Sequence, residues 1–429
     1  MLHRWLHINT NDPVERNAYY LIVEVFWAAI LGAIATFNGV YAVRLGASNT
    51  DIGLLNSIPA LLAIIVSIPA GKFLQSRPLR KPWILWSLGL HRTGYLLVAL
   101  VPLLKIFNLP VGEIAVWLLI LNTSLASFFN TGWIPMLAEV VPEERRSAVF
   151  AARNMVNGLT ASLVVFFGGL FLNNVIFPVN YQILYTFGFA ASMLSQLVLV
   201  KINAPEVPAP PAPPKIRRTL RQQAGDLRRY FGEQPGFTRI VVNTFLHGSG
   251  VWMAAPVYIL FFVRTLGADE AWVGLNGTVN GLATIVGFMF WRWGMKRLGE
   301  PLTLKLTIVC AGLYPLLVGV LGNLGWILLA TAFNALVVAG INLSHFTTLL
   351  KVIPKVRRPE YFAVSATLVN IGAFIMPLVG VALGEIVGFG PVLILCGVLT
   401  IAGSTSFWWW PVVFESGSRA KLLDGAGHE

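Results

Sequence analysis

The chain has 429 residues, of which 56% are apolar and only 12% charged, and with a mean hydropathy of +0.71 it is too apolar for an ordinary soluble domain. The formal net charge of +12 would suggest a nucleic-acid partner in a soluble protein. Here the cations sit in short segments between apolar runs, which excludes that reading and gives them a topological role instead.

Residues 1–17 are polar and mixed in charge. The apolar run after them is too long for a secretion-signal core and has no small-residue cleavage site, so no cleaved leader is expected. Runs of about twenty apolar residues, the length that crosses a hydrocarbon core, begin near Ala18, Asp51, Pro82, Gly112, Ala148, Asn180, Thr238, Ala271, Leu306, Gly325, Tyr361 and Gly390. The sequence therefore predicts an all-α polytopic membrane protein with twelve spans, as one six-helix bundle over 18–202 and a second over 238–414. Between them lies a cytoplasmic linker, 203–237. Its proline-rich part, Ala204–Pro214, is expected to be extended. Lys215–Phe231 follows, rich in arginine, with Ile216, Leu220, Leu227, Tyr230 and Phe231 at roughly helical spacing. It reads as an amphipathic helix on the inner membrane surface, in contact with lipid. Phe407–Trp410 reads as an interfacial aromatic belt ahead of a cytoplasmic tail, 415–429.

With the N-terminus inside, the inner segments carry 27 of the 31 Lys and Arg residues, and the outer loops hold only Arg44, Lys105 and Arg264. This bias places both termini in the cytoplasm, and a bacterial inner (plasma) membrane is the expected compartment. Cys310 and Cys396 lie inside apolar runs without a metal-spaced partner, so neither disulfide, metal nor cofactor is expected. There is no phosphate-binding Gly-Lys-Ser loop and no nucleophile elbow. An enzyme is not expected, and any work must draw on ion or solute gradients.

The second half repeats the first. Leu45, Gly46, Ala47, Ile52, Gly53 and Leu54 recur as Leu266, Gly267, Ala268, Val273, Gly274 and Leu275 at an offset of 221. At an offset of 212, Asn122, Asn130, Val140, Pro142, Arg145, Arg146, Phe150 and Ala151 recur as Asn334, Asn342, Val352, Pro354, Arg357, Arg358, Phe362 and Ala363. Both copies start on the same side of the membrane, so the repeat is parallel, about an axis along the membrane normal. With its six-plus-six helices, basic central loop and charged loops after spans 2 and 8, the chain resembles the major facilitator superfamily over essentially its whole length. Gly71–Lys81 follows that family's loop signature in its glycine and basic residues, but Gln75 stands where an acid is usual, and Gly294–Gly299 also lacks the acid. The departure removes the basis for the family's usual inter-domain salt bridge at this loop. Asn157–Leu172 lacks the Gly-Pro signature of many drug/proton antiporters.

Ionisable groups within spans are functional candidates because a charge there is costly. Glu24 lies about two turns into span 1 and Arg92 near the middle of span 3. Either they pair, or Glu24 lines the cavity as a proton carrier. His247 and His345 are the other titratable candidates, set against the plainer reading of buried hydrogen-bonding residues. The resemblance implies that spans 1, 4, 7 and 10 line a central cavity, which would place Asn38, Asn122, Asn130, Asn243, Asn334 and Asn342 in it. Trp27, Phe37, Trp133 and Trp252 on the same helices would give it an apolar, aromatic character. Gly71, Arg77, Arg80, Arg145, Arg146, Gly294, Arg297, Arg357 and Arg358 are candidates for closing the inner mouth. The expectation is a monomeric secondary active transporter moving a small uncharged or amphipathic solute by alternating access, with protons as candidate coupling ions. An efflux carrier for amphipathic compounds, or a non-transporting receptor, assembly or lipid-handling protein on the same fold, are the alternatives.

Overall fold

A computed structural model describes residues 13–141, 143–204, 230–354 and 358–412. The proline-rich linker after Ala204, almost all of the expected amphipathic helix, Arg357, the side chain of Arg358 and the 415–429 tail lie outside the described residues.

Among the described residues, twelve helices are long and apolar enough to span a bilayer: α1 Glu15–Arg44, α2 Asn49–Gln75, α3 Lys81–Phe107, α4 Val111–Leu137, α5 Ala148–Asn174, α6 Val179–Val200, α7 Pro235–Thr265, α8 Glu270–Leu298, α9 Glu300–Leu321, α10 Leu324–Val352, α11 Glu360–Val387 and α12 Phe389–Trp409. A helix satisfies its backbone internally, which hydrocarbon demands. Short polar signals between the runs set the ends. Gly46 and Gly267, equivalent in the repeat, both adopt positive φ, +87° and +67°, which a glycine tolerates best. Each is followed by an N-cap at equivalent positions. Ser48 forms a reciprocal capping box with Asp51, and Asp269 accepts from the Trp272 backbone N–H at 2.7 Å, satisfying donors that a helix start leaves open.

One boundary differs materially from expectation. Helix α9 starts at Glu300 rather than near Leu306, because Gly299, at φ +76°, turns the chain and Pro301 sits in the first turn. Glu300 and Lys305 end an apolar window without ending a helix.

The repeat appears in the packing. In the first bundle α1 packs on α5 and α6, α3 on α4 and α6, and α2 on α4; in the second α7 packs on α11 and α12, α9 on α10 and α12, and α8 on α10. The principal seams between bundles, α5 with α8 and α2 with α11, are themselves equivalent under the repeat. Small residues allow such approaches in lipid. A Cβ on Gly250 of α7 would stand 2.3 Å from Thr400 Oγ1 and 2.5 Å from the Cys396 carbonyl of α12. Replacing Gly250 with Val should therefore overpack that pair and cost about 1–3 kcal/mol, read as a lowered melting temperature of the purified protein; unchanged melting would show that the pair is looser than described.

Candidate functional site

Beneath the end of the molecule away from the termini, between the bundles, lies a cavity of about 320 Å³ lined by residues of α1, α2, α3, α4 and α7. Its polar groups are Thr36, Asn38, Asn56, His91, Tyr95, Asn122 and Thr123; Ala35, Gly39, Leu55, Leu119, Ala255 and Ile259 supply the apolar remainder. Asn122 lies about 16 Å along α4 from its start, at 1.5 Å per residue, and is only 4% exposed. Asn38 is held on both sides: the Tyr185 hydroxyl donates to its Oδ1 at 2.8 Å, and its Nδ2 donates to the Tyr95 hydroxyl at 3.4 Å. His91 Nδ1 lies 3.1 Å from the Asn122 carbonyl.

Of the six asparagines expected in the cavity, Asn38 and Asn122 line it. Asn130 and Asn342 are exposed nearer the termini and Asn334 is half-buried; none of the three lines this cavity. Asn243 is the clear correction. It is wholly buried, and its Nδ2 donates to the carbonyls of Ser406 at 3.4 Å and Trp410 at 3.0 Å, tying α7 to the end of α12. His247 is likewise internal, its Nδ1 2.9 Å from Ser404 Oγ, and His345 Nε2 lies 2.8 Å from Thr244 Oγ1. The expected aromatic lining is also corrected. Phe37 is fully buried, Trp252 fills the space left by Gly248 and Gly372, and none of the four aromatic candidates lines the cavity. His91 and Tyr95, which sequence reasoning did not single out, do so.

The loop candidates make their described contacts within their own bundle. Arg80 pairs with Glu139 at 2.7 Å, Arg145 with Glu15 at 3.0 Å, and Arg146 Nε donates to the Val141 carbonyl at 3.0 Å. Arg77 lies over the Phe73 and Trp83 rings, and Arg297 over the Trp293 ring. A Cβ on Gly71 would touch Thr131 and one on Gly294 its own helix's Trp291. Lys351, the repeat equivalent of Glu139, pairs with Glu300 at 2.6 Å, an ion pair of the opposite sense to that of Arg80 with Glu139.

Cross-bundle bonds lie at the other end. Arg44, at the exit of α1, grips Glu270, the first residue of α8, with Nε to Oε1 at 2.8 Å and Nη2 to Oε2 at 3.1 Å; the Tyr181 hydroxyl adds 3.4 Å to Oε1. Arg264, near the exit of α7, donates to the Asn49 side chain at the start of α2 and to the Ala47 carbonyl. Asn49 and Glu270 are equivalent in the repeat, while Arg44 and Arg264 stand one position out of register, so the two clasps correspond in place without being copies, one ionic and one neutral. Deeper along the seams, Thr278 Oγ1 donates to the Ser162 carbonyl at 3.2 Å and Ser57 Oγ to that of Phe374. A Cβ on Gly169 would stand 2.6 Å from the Glu270 carbonyl.

Of the two alternatives for Glu24, direct pairing with Arg92 and a place in the cavity lining, the structure has neither. Glu24, 3% exposed, pairs with Arg153 of α5, Nη1 to Oε2 at 2.8 Å. Arg153 also donates to the Leu21 carbonyl and lies over the Trp133 ring at 5.3 Å. Arg92 reaches Glu24 only through Ser195, which accepts from Arg92 Nη2 at 2.6 Å and donates to Glu24 Oε1 at 3.0 Å; its Nη1 donates to Gln196 Oε1 at 2.7 Å. Arg153 lies so close to the start of α5 that its charge reads in sequence as one more loop cation. The network joins α1, α3, α5 and α6 and lines no part of the cavity. Removing one partner of such a pair strands a buried charge, at about 3–5 kcal/mol. Arg153→Met and Glu24→Gln should each lower thermal stability by that order, and the double variant by less than their sum; additive losses would show the pair to be uncoupled.

Comparison with known proteins agrees with this architecture. A Deinococcus radiodurans protein described as a putative sugar efflux transporter is 23% identical over 419 residues, covering 92% of this chain and 97% of that one. Among solved structures, the nucleoside transporter NupG superposes with a TM-score of 0.64 at 14% identity, over 92% of this chain and 98% of that one. A bacterial homolog of the human lysosomal transporter Spinster, inward-facing and occupied, does so with a TM-score of 0.67 at 12% identity, over 96% and 98%. At these identities the likeness to the solved structures is one of fold. The family model for the Major Facilitator Superfamily matches residues 19–239 and 240–424, nearly the whole chain, and the protein is therefore a membrane transporter belonging to that superfamily.

Proposed function

We propose that the chain is a secondary active transporter that moves a small uncharged solute by alternating access. The observation that carries this reading is the placement of the cross-bundle bonds named above at the end away from the termini, with a solute-sized cavity directly beneath them. The positive-inside bias puts the termini in the cytoplasm, so on this reading the present conformation is sealed outside and open inward. Rocking the bundles about the midplane then requires release of both arginine clasps and separation of α5 from α8 and α2 from α11. The cavity lining supports an uncharged solute, since its polar groups are amides, hydroxyls and one imidazole. The description of the Deinococcus relative supports a sugar-like solute and export as the direction. Glu24, enclosed by Arg153 and Ser195 outside the cavity, has a structural part in this proposal, and the gradient that drives transport enters elsewhere.

The asymmetry of the clasps supplies the test. Asn49→Glu would give Arg264 a carboxylate and make both clasps ionic; Glu270→Gln would make both neutral. In proteoliposomes given sugars and other neutral solutes, Asn49→Glu should slow net flux about tenfold, the factor for about 1.4 kcal/mol of added ground-state stabilisation. It should also protect a cysteine at Ala255 from an impermeant maleimide applied at the face away from the termini. Glu270→Gln should increase that labelling. Labelling indifferent to both changes would remove the clasps from the cycle, and absence of flux for every solute would overturn the transport reading itself.

A further inference from the structure

The cavity between the bundles has one wall that hydrogen-bonds and one that cannot. On the first-bundle side stands Asn122, whose Oδ1 and Nδ2 both lack a partner among the described residues. A buried amide left unpaired costs about 1–3 kcal/mol, so it is expected either to be met by a bound group or to serve some other purpose. Its room is made by Gly94, where a Cβ would stand 2.5 Å from Oδ1. Beside it the Tyr95 hydroxyl has its oxygen occupied by the Asn38 Nδ2 donor, and its own hydrogen has no acceptor among the described residues. That orientation is set from behind. Tyr185, fully buried and outside the cavity lining, donates to Asn38 Oδ1 and so fixes which end of the amide faces Tyr95. The Tyr185 ring is itself held against Tyr95 and Tyr41, at 6.0 and 5.1 Å between centroids. On the facing side α7 supplies only Ala255 and Ile259, and Ile259 occupies the repeat position of Asn38.

We infer that Asn122 and Tyr95 are the specificity-determining residues, that they read adjacent hydroxyls on an uncharged, hydroxyl-bearing solute, and that Tyr185 is a positioning residue acting through Asn38. This rests on the transport reading above. A planar amide offers a donor and an acceptor side by side, the complement of two neighbouring hydroxyls, each of which can donate or accept. Tyr95 donates to a third oxygen. The apolar face of the solute lies against Ile259, so recognition is one-sided and the second bundle closes over the solute without reading it. A phosphate or carboxylate would be buried here with no fixed cation among the lining residues, which disfavours it strongly.

The test is equilibrium binding to the purified full-length protein, using radiolabelled D-glucose, D-galactose and D-mannose, their single-deoxy analogues, and glucose 6-phosphate as the charged control. At least one hexose should bind, about tenfold or more tighter than one of its deoxy analogues and than the phosphate. Asn122→Ala should collapse that ratio toward one. Gly94→Ala, which displaces the Asn122 amide without removing it, should reduce it in the same direction. Tyr185→Phe keeps the ring and should also lower the ratio, whereas a purely structural Tyr185 would lower the melting temperature and leave the ratio unchanged. The proposal is overturned if no hexose binds, if the phosphate binds as well as the hexose, or if the ratio survives Asn122→Ala in folded protein. Should the flux assay show transport of another solute class while no hexose binds, this inference fails and the transport reading stands. Should hexoses bind with the expected ratio while nothing is transported, the site stands and the transport reading fails.

Discussion

The close approach of α5 to α8 and of α2 to α11 at the end away from the termini determines where everything else in the molecule can be. Glycines make it possible: Gly169 and Gly274 bring α5 and α8 so near that a Cβ on either would stand 2.9 Å from the other's Cα, and Gly53 lets Val381 of α11 sit against α2. In lipid there is little hydrophobic force between helices, so such contacts rest on packing and on a few hydrogen bonds. The arginine clasps add to these contacts the one element with strong directionality, a bidentate guanidinium–carboxylate pair, and they place it at the rim.

A different kind of rigidity holds the first bundle together. The Arg92–Ser195–Glu24–Arg153 chain links four helices through groups that are almost entirely removed from solvent. Its members satisfy one another, and a polar network in a low-dielectric interior specifies geometry strongly when it is fully connected. Cavity residues on α1 and α3 therefore sit on helices whose relative positions are fixed by charge. The second bundle has no matching ion pair in its interior among the described residues. There Phe245 occupies the repeat position of Glu24, while His247 with Ser404, His345 with Thr244, and Asn243 with two backbone carbonyls supply neutral ties. This difference fits the proposed reading, in which the first bundle presents fixed polar groups to a solute and the second moves against it.

Much of the architecture was legible in the sequence, because lipid leaves few choices. An apolar run of sufficient length must be a helix, and most expected starts lie within a few residues of the observed ones. The Leu-Gly-Ala match that revealed the repeat corresponds to two like turns, each with a positive-φ glycine and a cap after it. Site chemistry was less legible, and the asparagines show why. An intramembrane Asn either ties helices or faces a cavity, and helical phase alone separated neither Asn243, claimed by the Ser406 and Trp410 carbonyls, nor Asn122, left open by Gly94. Arg153 was hidden among loop cations, since its partner Glu24 is remote in sequence. Arg44 and Arg264 looked like residual exceptions to the charge bias. Their rarity on that side was the available signal, since two of the three outer cations are the clasps.

The repeat conserves geometry more faithfully than chemistry, and this difference gives the two-fold molecule a direction. Equivalent positions hold Asn38 and Ile259 facing the cavity, Asn49 and Glu270 at the clasps, and Glu139 and Lys351 near the termini, the last pair each in an ion pair of reversed sense. In the proposed cycle, symmetric backbones would let the two seams open and close together, since α5 stands to α8 as α11 stands to α2. Had the side chains been symmetric too, the cavity would present the same groups from both sides and the clasps would release with equal ease. Substituting an isoleucine for one amide makes one wall a reader and the other a cover. Substituting an asparagine for one carboxylate makes the Arg264 clasp the weaker of the two, so on the proposed cycle separation of the rim away from the termini should begin where α7 meets α2 and proceed toward Arg44 and Glu270.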